Sequence, residues 1–221
     1  MREAGQTMSP EQEGPSVAKV AMIVLVAAVV VLAGTTAAAY SLSRHYYDSK
    51  YRAQYHIVLS FLGGMNNANR SIEQMINSTY PDLERFAESE AAHWNLEQAR
   101  TATLEISVMY PDNSSESKAF MSVHFAVFKI QEVVDRYRSG LQSAFGDHTY
   151  ERSDEANSLF LNVTQQMSAI ASLVHAGIDH SRDALTSPYS LVKRMDLVAI
   201  EEASSELDKT CGKLLEPAIW W

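Results

Sequence analysis

Cysteine is almost absent from this sequence, whose 221 residues include only Cys211. A single thiol excludes an internal disulfide framework and any metal cage built of cysteines. Glycine and proline are also sparse, at 9 and 6 residues, and no sustained alternation of apolar and polar residues is present. The sequence therefore gives no support to a β-sheet fold.

Positive charge is scarce as well. The chain has 18 lysines and arginines against 27 aspartates and glutamates, which gives a formal net charge of −9. An acidic surface repels the phosphate backbone of nucleic acids, so we expect no nucleic-acid partner. The fingerprints H-E-x-x-H, G-x-S-x-G, the P-loop and the dinucleotide-binding motif are missing too. We therefore expect no catalytic residues and no cofactor, and the sequence favours a protein that is not an enzyme.

What the chain does contain is a long apolar run, with no charged side chain between Lys19 and Arg44. A helix rises about 1.5 Å per residue, so roughly 20 apolar residues cross a hydrocarbon core of about 30 Å. We predict that residues 20–41 form a single transmembrane helix, a signal anchor in contact with membrane lipid. Residues 1–19 are predicted to be a disordered tail.

The alternative to an anchor is a cleaved signal peptide, because Ala37-Ala38-Ala39 resembles a cleavage site. Cleavage after Ala39 would release a secreted helical protein. The apolar run is longer than a typical signal-peptide core, which favours the anchor. The flanking cations barely discriminate between the two orientations. Large domains are translocated largely regardless of charge, so we expect a single-pass protein of the cell membrane with an extracytoplasmic domain.

Apolar residues at alternating steps of three and four predict helices throughout residues 42–216. We expect an all-α fold: an antiparallel bundle of four to five long helices. Residues 217–221 should form a short apolar tail. The predicted buried stripes of the first three bundle helices are Tyr47, Tyr51, Tyr55, Val58, Leu62 and Met65; Leu83, Phe86, Trp94, Leu104 and Val108; and Phe120, Val123, Val127, Ile130, Val134, Tyr137, Leu141 and Ala144. Those of the last two are Phe160, Val163, Met167, Ile170, Val174, Gly177, Ser181 and Ala184; and Leu197, Ile200, Ser204, Leu207, Cys211 and Leu214.

Helix boundaries follow from turn and capping residues. We expect Gly63-Gly64 to interrupt the first bundle helix, as a kink or a point of close packing. Pro81-Asp82 should begin the second helix, Ser114 the third and Ser153 the fourth. Ser187-Pro188 should mark the boundary before the last helix.

Two groups of residues have the spacing of metal ligands. Glu90 and His93 form an E-x-x-H pair, half of the arrangement found in di-iron carboxylate bundles, but no second E-x-x-H exists. His175 and Asp179 lie one helical turn apart. These four are weak candidates, because neither group has an identifiable third ligand. A solvated Glu–His pair explains the first group better.

Modification sites are the remaining candidates. Asn69, Asn77 and Asn113 begin N-x-S/T sequons and become glycosylation acceptors if the domain lies outside a cell that has the machinery. Asn162 also begins a sequon, but a helical position disfavours it. Cys211 falls on the apolar stripe of the last helix, which indicates a small core residue. An intermolecular disulfide is the alternative.

Together these features predict a membrane-anchored bundle that acts by binding, as a sensor-like domain, a scaffold or an accessory subunit. In architecture alone it resembles the helical sensor domains of bacterial receptors, although those carry two membrane helices. A protein partner of unknown identity is expected. Ala27, Gly34 and Ala38 share one face of the anchor and would allow a homodimer. The alternative is an enzyme or metal-binding bundle whose Glu, His and Asp residues converge only in the fold.

Overall fold

The computed structural model describes residues 17–77, 79–144, 153–178, 192 and 195–217. This part of the chain is helical and contains no strand, which confirms the predicted all-α class. Its five long helices are α1 (Val17–Ile76), α2 (Asp82–Val108), α3 (Ser115–Ala144), α4 (Asp154–Ala176) and α5 (Leu197–Leu214). The predicted N-terminal tail (except residues 17–19, which belong to α1), the boundary at Ser187-Pro188 and residues 218–221 lie outside the described residues.

The chain divides into two compact units, Met1–Tyr47 and Asp48–Trp221. In the first unit the described residues belong to α1. Among the described helices, one is long and apolar enough to cross a membrane, and its most apolar stretch is not buried inside the protein. This helix includes the predicted residues 20–41. An anchor and a signal sequence both have this length and composition.

The second unit is a bundle whose helices alternate in direction. Hydrogen bonds and ion pairs join neighbouring helices: Gln98 to Ser60, His93 to Asp135, Lys129 to Asp208, and Asn69 to Ser168. Helix α5 packs against both α3 and α4. Around the bundle, the order is therefore α1, α2, α3, α5, α4. Lys129 of α3 contacts Asp208 of α5, and Arg136 contacts Leu215, seven residues or about two turns further along each chain segment. Helices α3 and α5 therefore run parallel to each other.

Burial in α3 and α4 follows the predicted stripes as far as Leu141 and Gly177. Helix α4 ends at Ala176, short of the predicted Ser181 and Ala184, which lie outside the described residues. The buried apolar side chains of α3 include Phe120, Val123, Val127, Ile130, Val134, Tyr137 and Leu141, and those of α4 include Phe160, Val163, Met167, Ile170 and Val174. Each such side chain stabilises the fold by roughly 1.5–3 kcal/mol through removal of apolar surface from water. The core of the bundle therefore forms along these stripes.

The prediction for α2 was wrong. Leu83, Trp94, Leu104 and Val108 are exposed, and Phe86 is only partly buried. Helix α2 instead buries a face of mostly small residues, namely Arg85, Ser89, Ala92, Leu96, Ala99, Ala102, Thr103, Ile106 and Ser107. Small side chains let two helix backbones approach closely, so packing in the bundle selects this face over the bulkier one.

Side-chain caps begin three of the helices. The Oγ atoms of Ser114 and Ser153 accept the main-chain N–H of Ser117 and Ala156, each at 3.1 Å. Asp196 Oδ1 accepts the N–H of Ala199 at 3.0 Å. These bonds satisfy N–H groups that have no partner inside the helix. The predicted starts at Ser114 and Ser153 are confirmed, and Pro81 directly precedes α2 as predicted.

Gly63-Gly64 does not interrupt α1, which continues to Ile76. Of the two alternatives, close packing is the one observed, at Gly64. A Cβ atom at Gly64 would lie 2.8 Å from the main-chain oxygen of Asn95 and 2.9 Å from the main-chain nitrogen of Ala99. A Cβ at Gly63 would meet nothing within 4 Å. Gly64 is therefore the point at which the backbones of α1 and α2 come together.

Candidate functional site

Glu90 and His93 both lie on α2, but they contact different residues of α3. Arg138 Nη1 lies 2.9 Å from Glu90 Oε1, and His93 Nδ1 lies 2.8 Å from Asp135 Oδ1. A carboxylate only accepts hydrogen bonds, so the His93 Nδ1 atom carries a proton. The two residues therefore do not form the solvated pair with each other that the E-x-x-H spacing suggested.

The contacts continue along the two helices. The amide nitrogen of Gln131 lies 3.4 Å from His93 Nε2 and 3.1 Å from Glu97 Oε2, and Arg100 Nη2 lies 2.8 Å from Glu97 Oε1. The hydrogen bond from Arg100 lowers the pKa of Glu97, with a further contribution from Gln131, while desolvation opposes the shift. We call this set the α2–α3 polar network: Glu90, His93, Glu97 and Arg100 on α2, with Gln131, Asp135 and Arg138 on α3.

The chemistry available to the polar network is limited by its own ion pairs. Glu90, Glu97 and Asp135 each contact a cationic side chain of the same protein. A metal ion would have to displace those cations to reach the carboxylates. Among the described residues, no group of three or more His, Cys, Asp or Glu side chains is placed to hold a metal. The polar network therefore consists of hydrogen bonds and ion pairs that hold α2 against α3.

His175 lies in the last turn of α4 and is not part of the α2–α3 polar network. It lines an open groove of about 360 Å³ between α1 and α4, together with Leu62, Asn66 and Ser172 among others. Asp179, its predicted partner, lies outside the described residues. The pairing of His175 with Asp179 stays a prediction, and the structure does not bring His175 together with Glu90 or His93.

The three candidate glycosylation sites differ in their surroundings. Asn69 faces α4, where its Nδ2 atom donates to Ser168 Oγ at 3.0 Å. Asn77 follows α1 in an exposed loop, and its Oδ1 atom accepts the main-chain N–H and the hydroxyl of Thr79. Asn113 is exposed in the loop between α2 and α3, with a positive φ of 67°. A glycan therefore has space at Asn77 and Asn113, whereas at Asn69 it would separate two packed helices.

Cys211 is fully buried in α5. Burial raises the pKa of its thiol to about 12; the nearby Asp208 carboxylate adds to the increase and Lys129 opposes it. A thiol in this position packs as a small apolar side chain. The intermolecular disulfide stays a prediction that the geometry opposes, because a second chain has no access to the sulfur while the bundle is folded.

A buried polar cluster was missed from the sequence. Arg85 is buried at the start of α2, where its Nε atom donates to the Met75 carbonyl at 3.2 Å and its guanidinium also donates to the Tyr137 hydroxyl. Tyr137 in turn donates to the same Met75 carbonyl at 3.0 Å. The sequence has no clear signal for this cluster, because neither the buried face of α2 nor the free carbonyl at the end of α1 is apparent from residue spacing.

The second missed feature is the outer face of α2. We define this face by eight residues at alternating steps of four and three, all exposed or partly exposed: Leu83, Ala87, Glu90, Trp94, Glu97, Thr101, Leu104 and Val108. Trp94 is 66 % exposed, and Leu83 and Val108 are each 71 % exposed. Exposed tryptophan on a helix surface has a large apolar area left in water. The outer face therefore has the composition of a binding surface.

Comparison with known proteins gives no relative for this chain: no family model matches it, no curated protein matches it, and no solved structure matches its fold.

Proposed function

We propose that this protein is a membrane-anchored helical bundle that acts by binding another macromolecule and not by catalysis. The observation that carries the proposal is the division of α2 into two faces. Its small residues are buried in the bundle, while Leu83, Trp94 and Val108 face solvent. Bulky apolar side chains that are exposed in the free chain commonly mark the surface that a binding partner covers.

The arrangement of charge supports a binding role over an enzymatic one. In the polar network, arginines contact the carboxylates of Glu90 and Glu97, and a carboxylate contacts the imidazole of His93. A general acid or base needs a free path to a substrate, and a nucleophile needs an adjacent base. The thiol of Cys211, the strongest nucleophile type in the chain, is buried with a raised pKa.

The first half of α1 supports the anchor. Its apolar stretch is exposed along its whole length, and an exposed helix of this composition is stable in lipid because it satisfies its own main-chain hydrogen bonds. We place the bundle on the extracytoplasmic side of the cell membrane, because a single N-terminal apolar segment commonly exports the large domain that follows it.

Extraction of isolated membranes with alkaline carbonate tests the anchor. The full chain should stay in the membrane pellet, and N-terminal sequencing should find residues before Ala39. A chain that begins at Tyr40 and appears in the soluble fraction would contradict the anchor and would favour the secreted alternative.

Glycosylation mapping tests the side of the membrane on which the bundle lies. When the chain is inserted into microsomes that carry the glycosylation machinery, Asn77→Gln and Asn113→Gln should each remove one glycan from the translocated bundle. Asn69→Gln should remove none, because Asn69 contacts Ser168 in the folded bundle. Absence of any glycan, with the bundle open to added protease, would place it on the cytoplasmic side.

A further inference from the structure

The outer face of α2 has the pattern of a helix-pairing seam. Its eight residues continue the four-three alternation over the whole of α2, from Leu83 to Val108. This spacing keeps one stripe of a helix against a partner helix in a coiled coil. The inner face of α2 already has such a partner in the bundle, whereas within the described part of the chain the side chains of Leu83, Trp94 and Val108 remain exposed.

The two acidic residues within this seam are already neutralised. Glu90 is held by Arg138 at 2.9 Å and Glu97 by Arg100 at 2.8 Å. A like residue opposite each of them would therefore face an ion pair and not a bare carboxylate. The remaining seam residues are apolar or carry a methyl group. The seam is consequently compatible with a second copy of itself.

The charges beside the seam select one direction for that pairing. Arg100 lies on one edge, and the exposed Glu84 and Glu105 lie on the other. In a parallel pair, a residue on the first edge faces the residue five positions further along on the opposite edge of the partner helix. Arg100 of one copy would therefore meet Glu105 of the other, twice by symmetry. Arg100 holds Glu97 through Nη2 and lies over the Phe128 ring, and its other N–H donors can reach Glu105 of the second copy, so one guanidinium is shared between two carboxylates.

The antiparallel alternative is disfavoured by the same charges. The antiparallel arrangement that uses the full seam places Leu83 opposite Val108, and it also places Glu84 beside Glu105 of the second copy on both sides. Both residues are exposed and make no ion pair among the described residues. Two juxtaposed like-charge pairs oppose such a complex.

We infer that the outer face of α2 is a self-association surface, through which two copies pair in parallel with Trp94 against Trp94. This inference rests on the proposed function, of which it names the binding partner. It commits to a second copy of the chain because the seam is neutral at Glu90 and Glu97 and the edge charges are complementary in the parallel register.

The size of the surface indicates a weak complex. Helix α2 has 27 residues and is therefore about 40 Å long, so a strip about 10 Å wide covers about 400 Å² per chain. A standard stable interface covers about 800 Å² per partner. Confinement to one membrane raises the effective concentration of the second copy, which favours a pairing that is weak in solution. The test therefore requires the full chain in a bilayer.

Disulfide cross-linking of Thr101→Cys in the full chain, reconstituted into phosphatidylcholine vesicles at low protein density, tests the inference. Thr101 lies on the symmetry axis of a parallel pair, so mild oxidation should give a dimer on a non-reducing gel. Cys211 adds no background because it is buried. Glu202→Cys, at an exposed position of α5, is the matched control and should stay monomeric.

Trp94→Arg in the Thr101→Cys background should reduce dimer formation about tenfold, because it places a charge at the centre of the interface. Trp94 is exposed, so this variant should keep the helical circular dichroism spectrum of the parent. A Thr101→Cys chain that stays monomeric, although carbonate does not extract it from the vesicles, would overturn self-association and leave the anchor intact. The outer face of α2 would then bind a different protein. Equal cross-linking of Glu202→Cys, or cross-linking only between Leu83→Cys and Val108→Cys chains, would also overturn the parallel pair.

Discussion

Arg85 and Tyr137 are joined by a buried hydrogen bond, and both residues also donate to the main-chain carbonyl of Met75. Met75 lies in the last turn of α1, where carbonyl groups have no partner within the helix. Tyr137 further packs edge-on against Phe160, with ring centroids 5.8 Å apart. From its position on α3, Tyr137 therefore contacts α1, α2 and α4 through Met75, Arg85 and Phe160.

Tyr137→Phe tests this connection. The substitution keeps the ring but removes the acceptor for Arg85 and one donor to Met75, which leaves a buried guanidinium partly unsatisfied. We expect the free energy of unfolding to fall by about 1–3 kcal/mol. Urea titration of the full chain in detergent, followed by circular dichroism, measures the change. Tyr80→Phe, at an exposed position, is the control, and an equal effect of both variants would show that the buried cluster contributes nothing.

Gly64→Ala should destabilise the bundle, because its Cβ would lie under 3.0 Å from main-chain atoms of both Asn95 and Ala99. Neither helix backbone can yield without displacing the other, and overpacking of this kind costs about 1–3 kcal/mol. Gly63→Ala is a matched control in the next residue, where nothing lies within 4 Å. It should stabilise α1 by roughly 0.5–1 kcal/mol. The pair of variants should thus shift Tm in opposite directions, and a shift of the same sign for both would contradict the close contact.

The buried thiol of Cys211 predicts a dependence of stability on alkaline pH. Its pKa is raised from 9.0 to about 12 in the fold. Below about pH 9 both the folded and the unfolded chain hold the thiol proton. Between pH 9 and 12 only the unfolded chain releases it, so the free energy of unfolding falls as the pH rises through this window.

Cys211→Ala should make that decline shallower, although it lowers stability at neutral pH through lost packing. Tyr110 contributes in the same direction between pH 10 and 12, because burial, aided by the Glu116 carboxylate, raises its pKa to about 12. The neighbouring Gln54 works against this shift, but the two side chains do not reach hydrogen-bond geometry. Equal pH slopes for the parent and for Cys211→Ala, measured by urea titration, would contradict the assignment.

Metal ions should not change the stability of the bundle. Glu90 and His93 are each engaged by α3, so we expect neither added Zn²⁺ or Mn²⁺ nor EDTA to shift Tm. Any ligand that binds only the folded chain raises its stability by mass action, which makes the melting curve a sensitive assay. A dose-dependent increase in Tm that is lost in His93→Ala would revive the metal-binding alternative.

The parts of this fold that follow from local chemistry could be predicted from the sequence. The apolar run at residues 20–41 was readable from its length and composition. The capping residues Ser114 and Ser153 were readable because the first N–H groups of a helix need an acceptor outside it. The stripe of α3 from Phe120 to Leu141 was equally readable, since its apolar residues recur at unbroken steps of three and four, although Phe125 and Phe128 of the same helix are exposed. These signals predicted the all-α class and the antiparallel helices.

Which face of α2 is buried depends on its packing against the other helices, and the sequence of α2 does not contain that information. Leu83, Trp94 and Val108 are more apolar than Ser89 and Ala92, and hydrophobicity alone selected the wrong face. Close approach of α1 at Gly64 requires small side chains opposite it, and this requirement depends on a helix distant in the sequence. The ion pairs of Glu90 and His93 with α3 depend in the same way on the register between two helices, which the spacing within α2 does not contain.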